Sequence, residues 1–332
     1  MNKPLVSVIV LTYNSADTIS QALDSVLAQR CSFDFEIIVG DDCSTDGTQR
    51  LLEDYAAANP NMRLRLAHKN RGLQANYYGC LEISRGEFIA DCAGDDYWIG
   101  VDRLQRLVDA LCGSDDIALA HSCWRTLREP QGVEMHASPA CSRDVAAGEA
   151  VALLLASAGA PAVQLSAAVY RKSKLMPDYI RHKDIFLDRR YACEDLQALV
   201  ALAANGRVVY LPFESLAYRI GHESAVTSQR DHAKSAGFSI ATARLRRRLQ
   251  HMYDLDGDPD IDSAVAGIAH FALSQAVLGG DAALVRDIAA HIYSQSHVPA
   301  RTRLLAAAVS STAGLCVVRA TKRLLQKLRN RK

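Results

Sequence analysis

Not one Cys-x-x-Cys pair occurs among the nine cysteines of this 332-residue chain. That absence argues against a zinc centre, and the odd, scattered set argues against a disulfide framework. Reduced cytosolic thiols are the simplest reading. Long hydrophobic runs are missing as well. The first apolar run, Leu5 to Leu11, is seven residues, too short for a secretory signal core, and reads as a buried first strand. No stretch reaches the ~20 apolar residues expected of a spanning helix. The segment VSVIVLTYN is followed by no GxGxxG, which disfavours a NAD-linked enzyme. It also lacks the glycine- and basic-rich triphosphate loop expected of a nucleotidyltransferase. From Arg301 to Lys332 there is no Asp or Glu at all, against nine Lys or Arg.

What is present is an ordinary globular composition, 49% hydrophobic and 23% charged, with length for one large or two modest domains. The net charge of +1 conceals an asymmetry, because the first 300 residues sum to −8. Such a body is a poor general nucleic-acid binder. The basic end has apolar positions at Leu304, Leu305, Val309, Leu315, Val317, Val318, Leu324, Leu325 and Leu328. It fits either an amphipathic helix on an anionic membrane, at ~1 kcal/mol per cation, or a helix docked on the body.

Strand and helix patterns alternate through the first hundred residues. Val6–Thr12, Phe35–Val39, Arg63–Ala67 and Phe88–Cys92 read as strands, and the segments between them as helices, the first capped by Ser15 or Asp17. This is the pattern of an α/β fold with a largely parallel sheet. A helix to Cys112, a strand at 117–123, a helix at 149–156, a strand at 167–170, a helix at 194–204 and a strand at 208–211 follow. Residues 126–148 read as a polar surface excursion and 218–230 as a mobile polar loop. From Ala233 onward only helix is expected.

Two strands of this half end in Asp-Asp. Asp95 and Asp96 lie in GEFIADCAGDDYW, from Gly86 to Trp98, and Asp41 and Asp42 lie in VGDDCSTDGT, from Val39 to Thr48. Adjacent carboxylates repel, so such a pair persists where something positive is held, typically a divalent cation with a phosphorylated ligand. Both pairs sit beyond the carboxyl ends of strands, where α/β sheets bind ligands. The pattern points to a nucleotide-handling enzyme. Asp41 also reads as a turn or cap residue, and Asp46, in STDG, more strongly as a turn residue.

Taken in order, VSVIVLTYN, GDDCSTDGT, NRG and GEFIADCAGDDYW resemble glycosyltransferase family 2, the inverting nucleotide-sugar-dependent transferases. The resemblance covers roughly residues 4–230, most specifically 4–100, and leaves out the basic end. It implies a three-layer αβα GT-A fold, Rossmann-like. Residues 1–230 would be the transferase domain, with a nucleotide-binding half at 1–100 and an acceptor half with a lid loop at 101–230. Residues 231–332 would be a helical C-terminal region.

The resemblance also implies roles. Asp96 would be the direct ligand of Mg2+ or Mn2+, and Asp95 would support metal, ribose or diphosphate. Asp42, with Asp41, would read a uracil-type base. Thr12, Tyr13 and Asn14 would line the nucleoside pocket, and Arg71 would add a contact. In ACEDLQALVALA, Asp195 would be the base, held ionised at a helix start, and Glu194 would orient it or the acceptor. His222 would complete the metal shell and Arg219 would pair with phosphate. The implied reaction moves a sugar from a UDP-sugar to a glycan or lipid-linked acceptor in bacterial surface polysaccharide synthesis. It would take place in the cytoplasm or at the inner face of the plasma membrane. A catalytically inactive transferase-like scaffold and a sugar-nucleotide nucleotidyltransferase are the alternatives.

Overall fold

In the computed structural model, which describes residues 3–128, 132–137, 139, 141–157, 162–191, 193–220, 231–295 and 298–329, the β-branched run Val6–Thr12 forms strand β1. It is buried along nearly its whole length, as a central parallel strand must be. Helix α1 (Ile19–Leu27) turns Ile19, Ala22, Leu23 and Val26 inward at helical spacing. Its N-cap is Thr18, without a side-chain bond, and not Ser15 or Asp17; Ser15 supplies its carbonyl to the Thr18 and Ile19 N–H groups instead. Then come β2 (Phe35–Asp41), α2 (Thr48–Ala58), β3 (Met62–Leu66), α3 (Leu73–Ile83) and β4 (Phe88–Ala93). These four strands lie in the order β3-β2-β1-β4, all parallel, with Val6 opposite both Phe35 and Phe88.

The chain continues through β5 (Tyr97–Trp98), α4 (Arg103–Cys112), β6 (Ile117–Arg128), β7 (Val133–Ala137), α5 (Glu149–Ala156), β8 (Ala168–Arg171), α6 (Lys172–Arg181), α7 (Lys183–Phe186), α8 (Asp195–Asn205) and β9 (Arg207–Ile220). β8 joins β4 and β6 antiparallel, β9 runs parallel to β6, and β5 closes the order against β9. Alternate strand residues face two helical layers. Val6, Val8, Val10, Ile37, Val39 and Phe88 cluster with Leu23, Leu52, Leu104 and Leu107 from α1, α2 and α4. On the other face α3 is tied to β2 by Asn76 Nδ2 donating to the Gly40 carbonyl at 2.7 Å, and to β8 by Tyr77 and Tyr170, hydroxyl to hydroxyl at 2.5 Å. Each fully buried aliphatic residue contributes about 1.5–3 kcal/mol relative to exposure.

Three sequence expectations fail in the second part of the sheet. Residues 126–148 are not simply an excursion: β6 runs on to Arg128 and pairs with β7, from Trp124–Ala137 to Arg128–Val133. Residues 218–220 are not loop: β9 extends to Ile220 along β6, across bulges that erase a simple alternation. β5, α6 and α7 were not anticipated at all; β5 is two residues long and has no periodicity to read.

The chain divides into two compact units. The first comprises Met1–Leu154, Ala160–Arg189 and Cys193–Ile220 and carries the sheet. The second comprises Leu155–Gly159, Arg190–Ala192 and Gly221–Lys332, and among the described residues its part after residue 230 is helical: α9 (His232–Met252), α10 (Pro259–Gly279), α11 (Ala282–Tyr293), α12 (Ala300–Ala308) and α13 (Thr312–Arg329). Asp231, Asp258 and Asp281 each accept two backbone N–H groups at the starts of α9, α10 and α11, caps worth ~1 kcal/mol apiece.

Contrary to the sequence reading, among the described residues one helix has the length and composition to cross a membrane. In α10 an 18-residue window reaches a mean hydropathy of 1.4, and 56% of that window is buried within the protein. Its Val265, Ala269, Leu273 and Val277 are core positions, so the apolarity of α10 serves the helical unit. The basic end begins by docking on α10: Arg319 donates to the Gly279 carbonyl at 3.1 Å and Lys322 Nζ to Ser274 Oγ at 2.7 Å.

Candidate active site

β1, β2 and β4 are adjacent and parallel and end at Thr12, Asp41 and Ala93, so their following loops open at one edge of the sheet. The loop after β2 is knitted by its own acids. Asp41 accepts from the Ser44 N–H at 3.0 Å, from Gln49 Nε2 at 2.6 Å and from the Ser44 hydroxyl. Asp42 takes the Arg71 N–H on one oxygen and the Gly72 N–H on the other, both at 2.8 Å. Asn14, at φ 51°, accepts the Thr45 N–H at 2.9 Å and gives its own N–H to Ser44 Oγ at 2.8 Å. Asp46 takes both the N–H and the hydroxyl of Thr48, with the Ala16 N–H, at 2.6–3.0 Å. Burial pushes its carboxyl up, but these bonds outweigh it and hold the group below the usual carboxylate range. Tyr13 is 51% exposed. The Thr12 hydroxyl is buried and has no partner among the described residues. The Arg71 side chain is exposed beside the loop that Asp42 pins.

The turn after β4 is built differently. Gly94 gives its N–H to the Leu11 carbonyl at 2.7 Å, and a Cβ there would come within 2.9 Å of that oxygen. Only glycine lets the turn lie directly on the end of β1. Asp96 is 1% exposed; one oxygen accepts the Arg219 N–H at 2.8 Å, and the other is buried without a partner among the described residues. Burial first, and then the neighbouring Asp95, raise its carboxyl well above the usual range, against the Arg219 bond. Asp95 is half-buried. Arg219 braces the turn: its guanidinium donates to the Asp95 carbonyl at 2.7 Å and to Gln21, over the Tyr97 ring at 5.2 Å. Arg219 is therefore a buried strand residue, not the loop arginine expected. His222 lies outside the described residues.

α8 begins at Asp195, with Glu194 as N-cap. The Tyr78 hydroxyl holds the Glu194 carbonyl at 3.1 Å, and Gln197 Nε2 holds the Cys193 carbonyl at 3.0 Å. The Glu194 carboxyl is pushed up to about 8, chiefly by burial, then by Asp195, with Asp91 and Asp95 adding to it. Two motifs a hundred residues apart in sequence thus share one electrostatic environment. Asp91 belongs to it and was missed. Both its oxygens are buried without a partner among the described residues, and burial raises the carboxyl well above its usual range against Arg103. The available signal was an aspartate inside the apolar strand FIADCA, where charge is rarely buried.

Glu194 feels Asp195, Asp91 and Asp95, and Asp96 feels Asp95, an acidic environment that favours a cation. Among the described residues no group of three or more His, Cys, Asp or Glu could hold a metal alone.

Residues 7–132 match the family profile described as Glycosyl transferase family 2. That match takes in the part of the first unit that carries both acidic turns, which is similar to glycosyltransferase family 2. An uncharacterized Mycobacterium tuberculosis protein is 29% identical over 302 residues, 86% of this chain and 80% of that one. The putative teichuronic acid biosynthesis glycosyltransferase TuaG of Bacillus subtilis is 38% identical over 96 residues, 29% of this chain and 38% of the relative. Among solved structures, S. aureus TarS 1–349 in complex with UDP-GlcNAc superimposes with TM-score 0.53 at 16% identity, covering 96% of this chain and 91% of the other. A longer TarS chain is covered over 50% of its length. The solved structures establish the GT-A fold, and the matched family region and its named relatives make the chain a transferase with relatives in polysaccharide biosynthesis.

Proposed function

We propose that this glycosyltransferase moves a sugar from a UDP-sugar to a hydroxyl of a glycan or lipid-linked acceptor, with inversion, in surface polysaccharide synthesis. The observation that carries the reading is the shared environment of Asp95 and the Glu194–Asp195 start of α8. That neighbourhood supports a division in which one carboxylate serves the leaving diphosphate and another the attacking hydroxyl. TarS, of the same fold, has been solved with UDP-GlcNAc, which puts UDP-sugars first in any donor panel.

The residues divide the work by their bonds. Exposed Tyr13 offers a ring to the nucleobase. Asp41, Asp42 and Asn14 shape the wall of that pocket through the loop they pin, and exposed Arg71 adds a cation to it. Mg2+ or Mn2+ would be held through Asp96, whose second oxygen is buried without a partner among the described residues, with Asp95 beside it; when bound, the ion supplies Lewis-acid stabilisation of the departing diphosphate. Asp195 takes the proton from the acceptor hydroxyl as it attacks. Glu194, whose carboxyl is pushed up by burial and by Asp195, orients Asp195 or the acceptor. A single displacement requires one base and no covalent intermediate. Asp195→Asn should lower transfer by ~10²–10⁴-fold, read as UDP release with acceptor present, while UDP-sugar binding by calorimetry persists; near-normal turnover would remove Asp195 as the base.

All of these described residues lie in the first unit. A peripheral contact of residues 301–332 with anionic membrane on the cytoplasmic side extends the proposal. It would draw on cations other than Arg319 and Lys322, which are docked on α10. Replacing Lys327, Arg329, Arg331 and Lys332 by Ser should abolish co-flotation with phosphatidylglycerol vesicles; flotation unchanged from that of the native chain would remove the contact.

A further inference from the structure

Tyr218 lies on β9 between two ties to the second acidic turn. Ala217 pairs with Tyr97, and the Arg219 N–H bonds Asp96. The Tyr218 ring is part-buried against the apolar cluster that contains Trp98 and Leu216. Its hydroxyl makes no hydrogen bond among the described residues, and its oxygen is not sealed from solvent. Burial, followed by the carboxylates of Asp96, Asp95, Asp195 and Glu194, raises the phenol well above its usual range. The hydroxyl is an O–H donor in the electrostatic neighbourhood of four acids, and among the described residues it bonds to none of them. A lysine or arginine in its place would be taken up in ion pairs, whereas a phenol stays available to something else.

What lies there follows from the two sides of the site. Asp95 is placed for the diphosphate and Asp195 for the attacking hydroxyl. The atoms reached from both are those of the sugar being transferred, since the anomeric carbon joins leaving oxygen to nucleophile. We propose that the Tyr218 hydroxyl is a substrate-contacting hydrogen-bond donor to the transferring sugar. The inference rests on the glycosyltransfer reading and adds a donor on the sugar itself.

Tyr218→Phe keeps the ring and removes only the hydroxyl. With the UDP-sugar that the native enzyme uses, the variant should lose ~10–100-fold in kcat/KM, while its affinity for UDP alone, by calorimetry, stays within about twofold. Deoxy-sugar donors give a second readout on the native enzyme: one missing sugar hydroxyl should reproduce the loss, and the Phe variant should then lose nothing further. Equal kcat/KM for the two proteins, or equal weakening of UDP and UDP-sugar, would overturn the sugar contact and leave the transferase reading intact. A native enzyme inert toward every UDP-sugar would overturn both.

Discussion

Asp41–Asp42 closes β2 and Asp95–Asp96 follows β4, the same dipeptide at the ends of two parallel strands separated only by β1. In the first pair the protein itself supplies the counterparts. Asp42 divides its two oxygens between the Arg71 and Gly72 N–H groups, and Asp41 gathers Ser44 and Gln49. In the second pair Asp96 has one N–H, from Arg219, and an oxygen buried without a described partner, while Asp95 lies near the carboxyls of α8. An acidic dipeptide is a loop fastener where backbone donors surround it. Where further carboxyls lie near it, the dipeptide is an acidic site that favours a bound cation. The sequence motif is identical; the donors that the fold brings to it differ.

Matched substitutions sharpen that contrast. The largest expected effect is on activity: Asp95→Asn should lose ~10²–10³-fold in kcat, the scale of a removed electrostatic stabiliser, with the thermal midpoint little changed. Next is stability at the fastener. Asp42→Asn leaves one of two backbone N–H groups facing an amide NH2, and should cost about 1–3 kcal/mol in denaturant unfolding, with kcat held within about fivefold. Asp96→Asn keeps its bond to Arg219 and should cost under ~1 kcal/mol in the same assay. Equal destabilisation by Asp42→Asn and Asp96→Asn would erase the distinction between the two turns.

The four strands of the first hundred residues were legible because each is a continuous apolar run with a turn signal at its end. The second part of the sheet was not. β9 contains Pro212 and Glu214, and its register against β6 shifts at bulges, so its length is set by pairing rather than by any pattern of its own. For the same reason Arg219 read as a loop residue: YRIGHES is polar, yet Tyr218 and Arg219 sit opposite Thr126 and Leu127. The candidate site was legible as motifs, Asp-Asp twice and Glu-Asp once. The division of labour within each motif depends on which donors arrive from elsewhere in the chain, and no spacing encodes that. Asp91 and Tyr218 acquire significance only once β4, α8 and β9 are brought together.

The most direct measurement is the rate of UDP release from a UDP-sugar panel, with divalent cation and glycan acceptor, by the native chain and by Asp95→Asn at equal folded concentration. Release by the native chain from at least one donor, reduced ~10²-fold or more in the variant, is the expected result. Equal release by the two proteins would contradict the assignment of transfer to the second acidic turn.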